Sequence, residues 1–285
     1  MGFMAQGCAC NSLASAGCNS DNNIFIGKNV AQKTGAGCGN VFIGCDVGVG
    51  VTHAACHNIF IGSYIAKCAT TSCLGVHNTL IGYMNGKCLT TGTNNVAYGY
   101  IAGMNLTTGD NNIIMGNAPG SNVCSGSENV FLGSYAGRCV LTSSYHVMIG
   151  YKAGCRCSQG VEGAVLIGQE AGMCSDGNWN IMIGCRAGKF ADGGGASIGL
   201  GPEALQSNHG NFNIAVGFRA GQLFCSNANS NVVIGCTVCV PDATGSCQLA
   251  IGKGQDHWIT GNSDFNIGIG TQYPNAPVTS ANTKK

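Results

Sequence analysis

Cysteine and histidine are the residue types of this 285-residue chain that could carry chemistry, with 19 cysteines and six histidines. Catalysis by such residues needs an acid, a base and a nucleophile brought together, and the histidines are scattered without matching carboxylates. The densest group, His53-Ala54-Ala55-Cys56-His57, could bind a metal ion. The motif Cys236-Thr237-Val238-Cys239 has no second pair at zinc-finger spacing. The sequence therefore predicts a protein that is not an enzyme, and it indicates no metal and no cofactor.

A five-residue motif, first seen as Asn23-Ile24-Phe25-Ile26-Gly27, recurs some fifteen times at spacings of 16 to 20 residues. A period this short is typical of a solenoid, in which each repeat is one coil that buries its apolar side chains by stacking on its neighbours. Alternating Ile and Val residues bounded by Asn and Gly predict a short β-strand in each coil. We expect an all-β fold, a parallel β-solenoid of about 15 coils of roughly 17 residues over residues 21–275.

Asparagine stands four residues before the motif glycine, at what we call the ladder position, in eleven copies. Stacked asparagine amides can hydrogen-bond from coil to coil while each caps a turn, although the residue could also serve only as a turn former. We expect an internal asparagine ladder. Its members are Asn23, Asn40, Asn58, Asn78, Asn95, Asn112, Asn129, Asn180, Asn213, Asn231 and Asn266.

The three residues between the asparagine and the glycine are nearly all apolar. We expect the two flanking positions to point into the coil and the middle position to point outward. An apolar outer face implies a covering partner, most simply another copy of the same chain. The predicted subunit interface contains Phe25, Phe42, Phe60, Leu80, Ile114, Phe131, Met148, Leu166, Met182 and Val233.

A second element, x-x-Ala-Gly, follows the glycine in copies such as Tyr135-Ala136-Gly137 and Lys152-Ala153-Gly154. Its small residues are expected to form a second short strand on the far side of a flattened coil. The motif with this element, and the connecting segments Leu89-Thr90-Thr91-Gly92-Thr93-Asn94-Asn95 and Leu106-Thr107-Thr108-Gly109-Asp110-Asn111-Asn112, resembles the head repeats of trimeric autotransporter adhesins and related repeats of phage tail fibres. The resemblance covers roughly residues 20–275 and implies a left-handed β-roll and a homotrimer packed along its length.

Parts that accompany such heads in autotransporters, namely a secretory signal, a coiled-coil stalk and a membrane barrel, are not apparent in this sequence. We expect residues 1–20 to be an arm or cap and residues 276–285 to be a flexible tail. Only 9% of residues are charged and the net charge is +1, which argues against nucleic acid as a partner. Apolar runs are far shorter than the roughly 20 residues that span a bilayer, so no membrane insertion is expected.

Cysteines recur at equivalent places in neighbouring coils, where stacking would put them about 4.8 Å apart, within the Cα range that a disulfide accepts. Disulfides between coils are the preferred interpretation, and small buried thiols in a thin core remain the alternative. The candidates are Cys38, Cys56, Cys68, Cys88, Cys139, Cys155 and Cys174.

These observations together predict a non-catalytic structural fibre or adhesin-like protein of a virion, such as a tail fibre or surface spike, or of a cell surface. Its partners would be its own copies, other virion or surface-fibre proteins, and a host surface glycan or receptor. Two alternatives stand beside it. One is a filament-forming extracellular structural protein, and the other is a solenoid that binds or degrades glycans.

Overall fold

The computed structural model describes residues 22–31, 37–50, 55–68, 74–156, 161–222, 228–264 and 266–271. The expected arm at residues 1–20 and tail at residues 276–285 lie outside these ranges. The chain divides into two compact units, Met1–Met173 and Cys174–Lys285. Within the described ranges both units are all-β, and the protein is a parallel β-solenoid as predicted.

Among the described residues the first unit contains nine parallel strands, and each of the first eight pairs with the next one along the chain. The register joins equivalent residues of the repeat, so that Ile24 pairs with Val41 and Gly27 with Gly44. The strands are β1 (Ile24–Lys28), β2 (Val41–Cys45), β3 (Ile59–Ser63), β4 (Thr79–Tyr83), β5 (Val96–Tyr100), β6 (Ile113–Asn117), β7 (Val130–Leu132), β8 (Val147–Ile149) and β9 (Val165–Ile167).

The second unit continues the repeat with five parallel strands and ends with two antiparallel ones. The parallel strands are β10 (Ile181–Ile183), β11 (Ile198–Leu200), β12 (Ile214–Val216), β13 (Val232–Cys236) and β14 (Leu249–Lys253), and the antiparallel strands are β15 (Asp256–Gly261) and β16 (Ile267–Ile269).

The last copy of the motif, Asn266 to Gly270, is therefore not a coil, and the prediction that Asn266 belongs to the ladder is wrong. Only Gly254 and Gln255 separate β14 from β15. A parallel return needs a connection of a dozen or more residues, so this short link reverses the chain into a hairpin. β15 begins with Asp256, His257 and Trp258, which depart from the repeat, and β16 then forms the edge of the sheet.

Each described coil contributes one strand and not the expected two, because the x-x-Ala-Gly element forms turns. In the coil of Gly133, Tyr135 has φ +61° and Gly137 has φ +58°, which are left-handed values that end an extended strand. The turns are still bonded to both neighbouring coils. Tyr135 N donates to Asn117 O at 2.9 Å on one side, and Gly137 N donates to Ala153 O at 2.9 Å on the other.

The middle position faces inward, so the predicted subunit interface is wrong. Nine of its ten side chains are fully buried inside the single chain and form its core, while Phe25 in the first strand is partly buried. Phe42 and Phe60 stack with ring centroids 4.7 Å apart and planes 5° apart. Their burial is explained by strand alternation, because the buried ladder asparagine two residues earlier must share the same face.

The turn positions require glycine because the middle side chain of the strand extends across the coil and contacts them. A Cβ added to Gly137 would lie 2.5 Å from the Phe131 ring, and one added to Gly120 would lie 2.9 Å from the same ring. The motif glycines have a different reason. At Gly150, with φ +128°, an added Cβ would lie 2.5 Å from the carbonyl oxygen of Gly168 in the next coil.

We expect Gly150→Ala to destabilise the protein by about 2–4 kcal/mol, because it adds backbone strain to overlap with a backbone oxygen that cannot move away. Gly193→Ala is the matched control, since Gly193 also has a positive φ of +80° but nothing lies within 4 Å of an added Cβ. That variant should lose only about 1 kcal/mol. Urea denaturation of both measures the difference, and equal losses would refute the steric argument.

A candidate self-association face and its polar ladders

The flanking positions of the nine strands in the first unit form what we call the outer face. No residue of this face is charged, only Thr79 is polar among otherwise apolar side chains, and none is fully buried. Its two columns are Ile24, Val41, Ile59, Thr79, Val96, Ile113, Val130, Val147 and Val165, and Ile26, Ile43, Ile61, Ile81, Tyr98, Met115, Leu132, Ile149 and Ile167. Sequence reasoning found a second apolar face but assigned it to the wrong residues.

A tyrosine patch interrupts this aliphatic surface at β4 and β5. Tyr83, Tyr98 and Tyr100 are 38%, 57% and 48% exposed. Tyr83 and Tyr100 are register partners whose rings stack at 5.3 Å and 6°. Tyr64 meets Tyr83 edge-on at 5.6 Å, so the patch continues around the corner of the coil. Tyrosines of this kind are enriched at the centres of protein interfaces.

Charge lies at the coil corner beside the patch and not on the outer face. Lys67 Nζ is 2.9 Å from Asp46 Oδ2 and 4.5 Å from the centre of the Tyr64 ring. The pKa of Asp46 is lowered, first by the Asn29 side-chain amide that donates to it and then by Lys67. An exposed pair of this kind contributes little stability, so the corner is a solvated polar rim.

The ladder asparagines are hydrogen-bonded from coil to coil in the first unit. Asn95 Nδ2 donates to Asn78 Oδ1 at 3.1 Å and to Gly109 O at 2.8 Å. Asn95 Oδ1 in turn accepts from Asn112 N at 3.0 Å and from Asn112 Nδ2 at 2.9 Å. The same arrangement links Asn23, Asn40, Asn58, Asn78, Asn95, Asn112 and Asn129. Each amide therefore bonds two backbone groups of the following coil and the side-chain oxygen of the preceding ladder asparagine.

Histidine takes the ladder position after Asn129. His146 N donates to Asn129 Oδ1 at 3.0 Å, and the imidazole Nε2 donates to Val161 O at 2.9 Å. Its Nδ1 accepts from Ala164 N at 3.2 Å, which fixes the neutral ring. Burial lowers the pKa of His146 to about 4 against the opposing effect of the bond to Val161. Ala164 then ends this ladder because it has no side-chain polar group.

The second unit has its own, less regular ladder. Ser197 N donates to Asn180 Oδ1 at 2.9 Å, and Asn213 N donates to Ser197 Oγ at 3.1 Å. Asn231 N then donates to Asn213 Oδ1, and Gln248 N to Asn231 Oδ1, both at 2.9 Å. Where Ser197 and Gln248 replace asparagine, the backbone N–H still donates to the preceding side chain, but no hydrogen bond joins the side-chain amides of two asparagines there.

A second polar ladder, which sequence reasoning missed, runs through what we call the pre-ladder position, six residues before the motif glycine. Asp110 Oδ1 accepts from Thr93 N at 2.6 Å, and Ser127 Oγ accepts from Asp110 N at 2.9 Å. Asn211 and Asn229 repeat the arrangement in the second unit. Short polar side chains recurring two residues before the asparagine were the available signal. Cys38 and Cys56 also occupy this position.

None of the thirteen cysteines among the described residues is disulfide-bonded. The predicted pair Cys38 and Cys56 has its sulfurs 3.3 Å apart. Cys68 N donates to Lys87 O at 2.9 Å, which places Cys68 beside Cys88. The pKa of the Cys88 thiol is raised, chiefly by burial and then by Cys68. Burial likewise raises the pKa of Cys155, with Cys139 as the next cause. Cys174 lies in the second unit.

The described histidines do not converge with carboxylates. His57 and His77 stack at 5.4 Å on an exposed corner, while His53 of the predicted cluster lies outside the described residues. His257 lies in β15, and its Nε2 is 2.9 Å from the backbone oxygen of Cys239. Among the described residues no group of three or more His, Cys, Asp or Glu side chains could hold a metal ion.

The described part of the molecule thus defines a parallel β-solenoid with an exposed apolar sheet face. The chain was compared with protein-family models, curated proteins and solved structures, and none of the three comparisons finds a match. Within the same described ranges, no helix has the length and hydrophobicity needed to cross a membrane.

Asn95→Ala tests the asparagine ladder. The buried Asn112 N–H and the Gly109 carbonyl would lose the hydrogen bonds that Asn95 provides, which should cost about 2–4 kcal/mol of unfolding free energy. Asn117→Ala, on an exposed side chain of β6, should stay within about 0.5 kcal/mol. Chemical denaturation measures both. A loss at Asn95 no larger than that at Asn117 would contradict a structural role for the ladder.

Acid should weaken the fold through His146. Its folded pKa of about 4 lies below the ordinary 6.5, so between these values the unfolded chain binds the proton and the folded chain does not. The stability contribution is complete above pH 6.5 and falls as pH falls, by up to about 3 kcal/mol near pH 4.

His146→Asn restores the ladder amide and should flatten this part of the stability curve, measured by denaturation at several pH values. His77→Asn is the control, because His77 is exposed and Asn94 and Asn111 occupy the equivalent position. It should keep the wild-type curve. A His146→Asn curve as steep as the wild-type one would rule out His146 as the titrating group.

Proposed function

We propose that this chain is a non-catalytic structural protein that assembles with copies of itself through the outer face, as a component of a virion fibre, such as a tail fibre or surface spike, or of a cell-surface fibre. The observation that carries the proposal is the outer face itself. Nine consecutive strands present two uninterrupted columns without a charged side chain. Large apolar patches on soluble proteins mark interaction sites or aggregation liabilities.

The outer face supplies part of the area that a stable contact needs. With strands about 4.8 Å apart and residues about 3.3 Å apart, the nine strands form a strip about 40 Å long and about 10 Å wide. This projected area of roughly 400 Å² is about half of what one partner contributes to a standard interface. The tyrosine patch beside the strip adds further interface area.

Another copy of the chain is the partner that best fits this surface. The rows of the outer face repeat at the strand spacing, and only a surface with the same period can pack its side chains between them at every rung. A second solenoid of the same sequence has that period by construction. The resemblance to adhesin head repeats favours three copies, each a left-handed roll, packed along their length.

A fibre component of this kind would work at a virion or extracellular surface, beside other fibre proteins and in contact with a host glycan or receptor. Disulfides between coils would suit such an oxidising setting and belong to the same proposal.

End-to-end filaments are the second candidate, favoured by the edge strand β16, where Ile267 and Ile269 are 70% and 82% exposed. Electron microscopy of the purified protein distinguishes long filaments from discrete particles.

Analytical ultracentrifugation at micromolar concentration tests the self-association. We expect the wild-type protein to sediment as a trimer and Ile113→Lys or Met115→Lys to shift it to monomer, because each places a charge within the outer face. Ser125→Lys adds the same charge at an exposed turn residue and should remain trimeric. A monodisperse wild-type monomer would overturn the proposal.

A further inference from the structure

Two cysteines face each other at the pre-ladder position of consecutive coils. The sulfur atoms of Cys38 and Cys56 are 3.3 Å apart, and Cys38 N donates a hydrogen bond to Cys56 Sγ at 3.3 Å. In other coils a side-chain oxygen accepts this backbone bond, as Ser127 Oγ does from Asp110 N. The Cys56 sulfur thus takes the place of the oxygen in the pre-ladder, which points it at the preceding coil.

The backbone around the two cysteines is held in register by hydrogen bonds between the coils. His57 N donates to Cys38 O at 2.9 Å, and Val41 N donates to Asn58 O at 2.8 Å. Asn58 N also donates to Asn40 Oδ1 at 3.0 Å. Because the backbones are paired, the two Cα atoms lie one strand spacing, ~4.8 Å, apart, which is within the range that a disulfide accepts.

A cysteine elsewhere in the same coils lacks such a neighbour. Cys45, at the end of β2, has Lys28 and Ser63 as its register partners. Cys45 and the Cys38–Cys56 pair are all of intermediate exposure, so access to a small reagent is similar. They differ because Cys38 and Cys56 each have a thiol opposite them on the adjacent coil, whereas the register partners of Cys45 are lysine and serine.

We propose that Cys38 and Cys56 are a redox modification site at which a low-molecular-weight disulfide cross-links two consecutive coils. One cysteine thiolate attacks the small disulfide, forming a mixed disulfide and releasing one small thiol. The second cysteine attacks the protein sulfur of that mixed disulfide and releases the second small thiol. The two protons lost by the cysteines end on the two released thiols, so the protein is oxidised by two electrons and the small disulfide is reduced.

The cross-link would close a loop that contains β2 and so hold its coil shut. Closing a loop restricts the unfolded chain and suppresses local opening of the strand. The inference rests on the proposed function for its oxidising setting, and it specifies one pair among the disulfides between coils proposed there. The bond forms within one chain and does not need a second copy.

Incubation with oxidised glutathione, alkylation of the remaining thiols and peptide mapping without reduction test the proposal. We expect one peptide pair linked through Cys38 and Cys56 with the loss of two hydrogens, while Cys45 ends alkylated or glutathionylated. Cys38→Ser and Cys56→Ser should each abolish the linked pair, and Cys45→Ser should leave its yield unchanged. Far-UV circular dichroism checks that each variant is folded.

Wild-type mapping is decisive even if a variant fails to fold. Separate glutathione adducts on Cys38 and Cys56, links from either residue to another cysteine, or two thiols that stay alkylatable would each overturn the proposal. Repeating the map on fractions separated by size distinguishes the two ideas. A linked pair in a protein that is only monomeric would leave the cross-link standing and remove the fibre assembly.

Discussion

In-register stacking of coils is the constraint on which the rest of this structure depends. Each residue of the repeat lies next to its equivalents in the neighbouring coils, so a polar group that is satisfied in one coil is satisfied in every coil that keeps the same residue, and a poor fit recurs in the same way. The motif glycine shows how tight the constraint is, because the Gly168 carbonyl occupies the space a Gly150 side chain would need. The asparagine ladder is the polar counterpart, since each amide bonds two backbone groups of the following coil and the amide oxygen of the preceding asparagine. Regularity therefore reflects local packing, not only repeated sequence.

The same constraint makes the outer face a consequence of the core. A strand that alternates places the asparagine and the middle residue inward, which leaves the two flanking residues outward in every coil. In most soluble single-sheet surfaces those outward positions are polar. Here they are Ile, Val, Leu, Met and Tyr in every strand of the first unit, with Thr79 as the one exception. The core could be buried equally well with polar residues at these outward positions, so their apolar character needs a separate explanation, which the proposed association would supply.

Sequence reasoning predicted the coil, its strand and the ladder because each has a local pattern with a fixed period. It assigned the two faces wrongly because all three residues between Asn40 and Gly44 are apolar and composition alone cannot set their direction. The information was nevertheless present, since a buried ladder at Asn40 fixes Phe42 on the same side by alternation. The missing second strand follows from left-handed turn residues such as Tyr135, which no period reveals. The hairpin after β14 depends on one short connection, and the sulfur positions of Cys38 and Cys56 depend on side-chain rotation, so neither could be read from spacing.

A face of nearly identical rows poses a difficulty for any fibre assembled along it, because two copies could shift by one coil relative to each other and keep almost all of their contact area. Register between copies must then come from the rungs that differ. In the first unit those rungs lie together. Thr79 is the polar exception, Tyr98 replaces an aliphatic residue in the adjacent strand, and Tyr83 and Tyr100 stack beside them. In the proposed assembly, a copy displaced by one coil would place aliphatic side chains against the tyrosine patch. The irregular rungs would therefore set the register between copies, while the regular rungs would contribute apolar contact area.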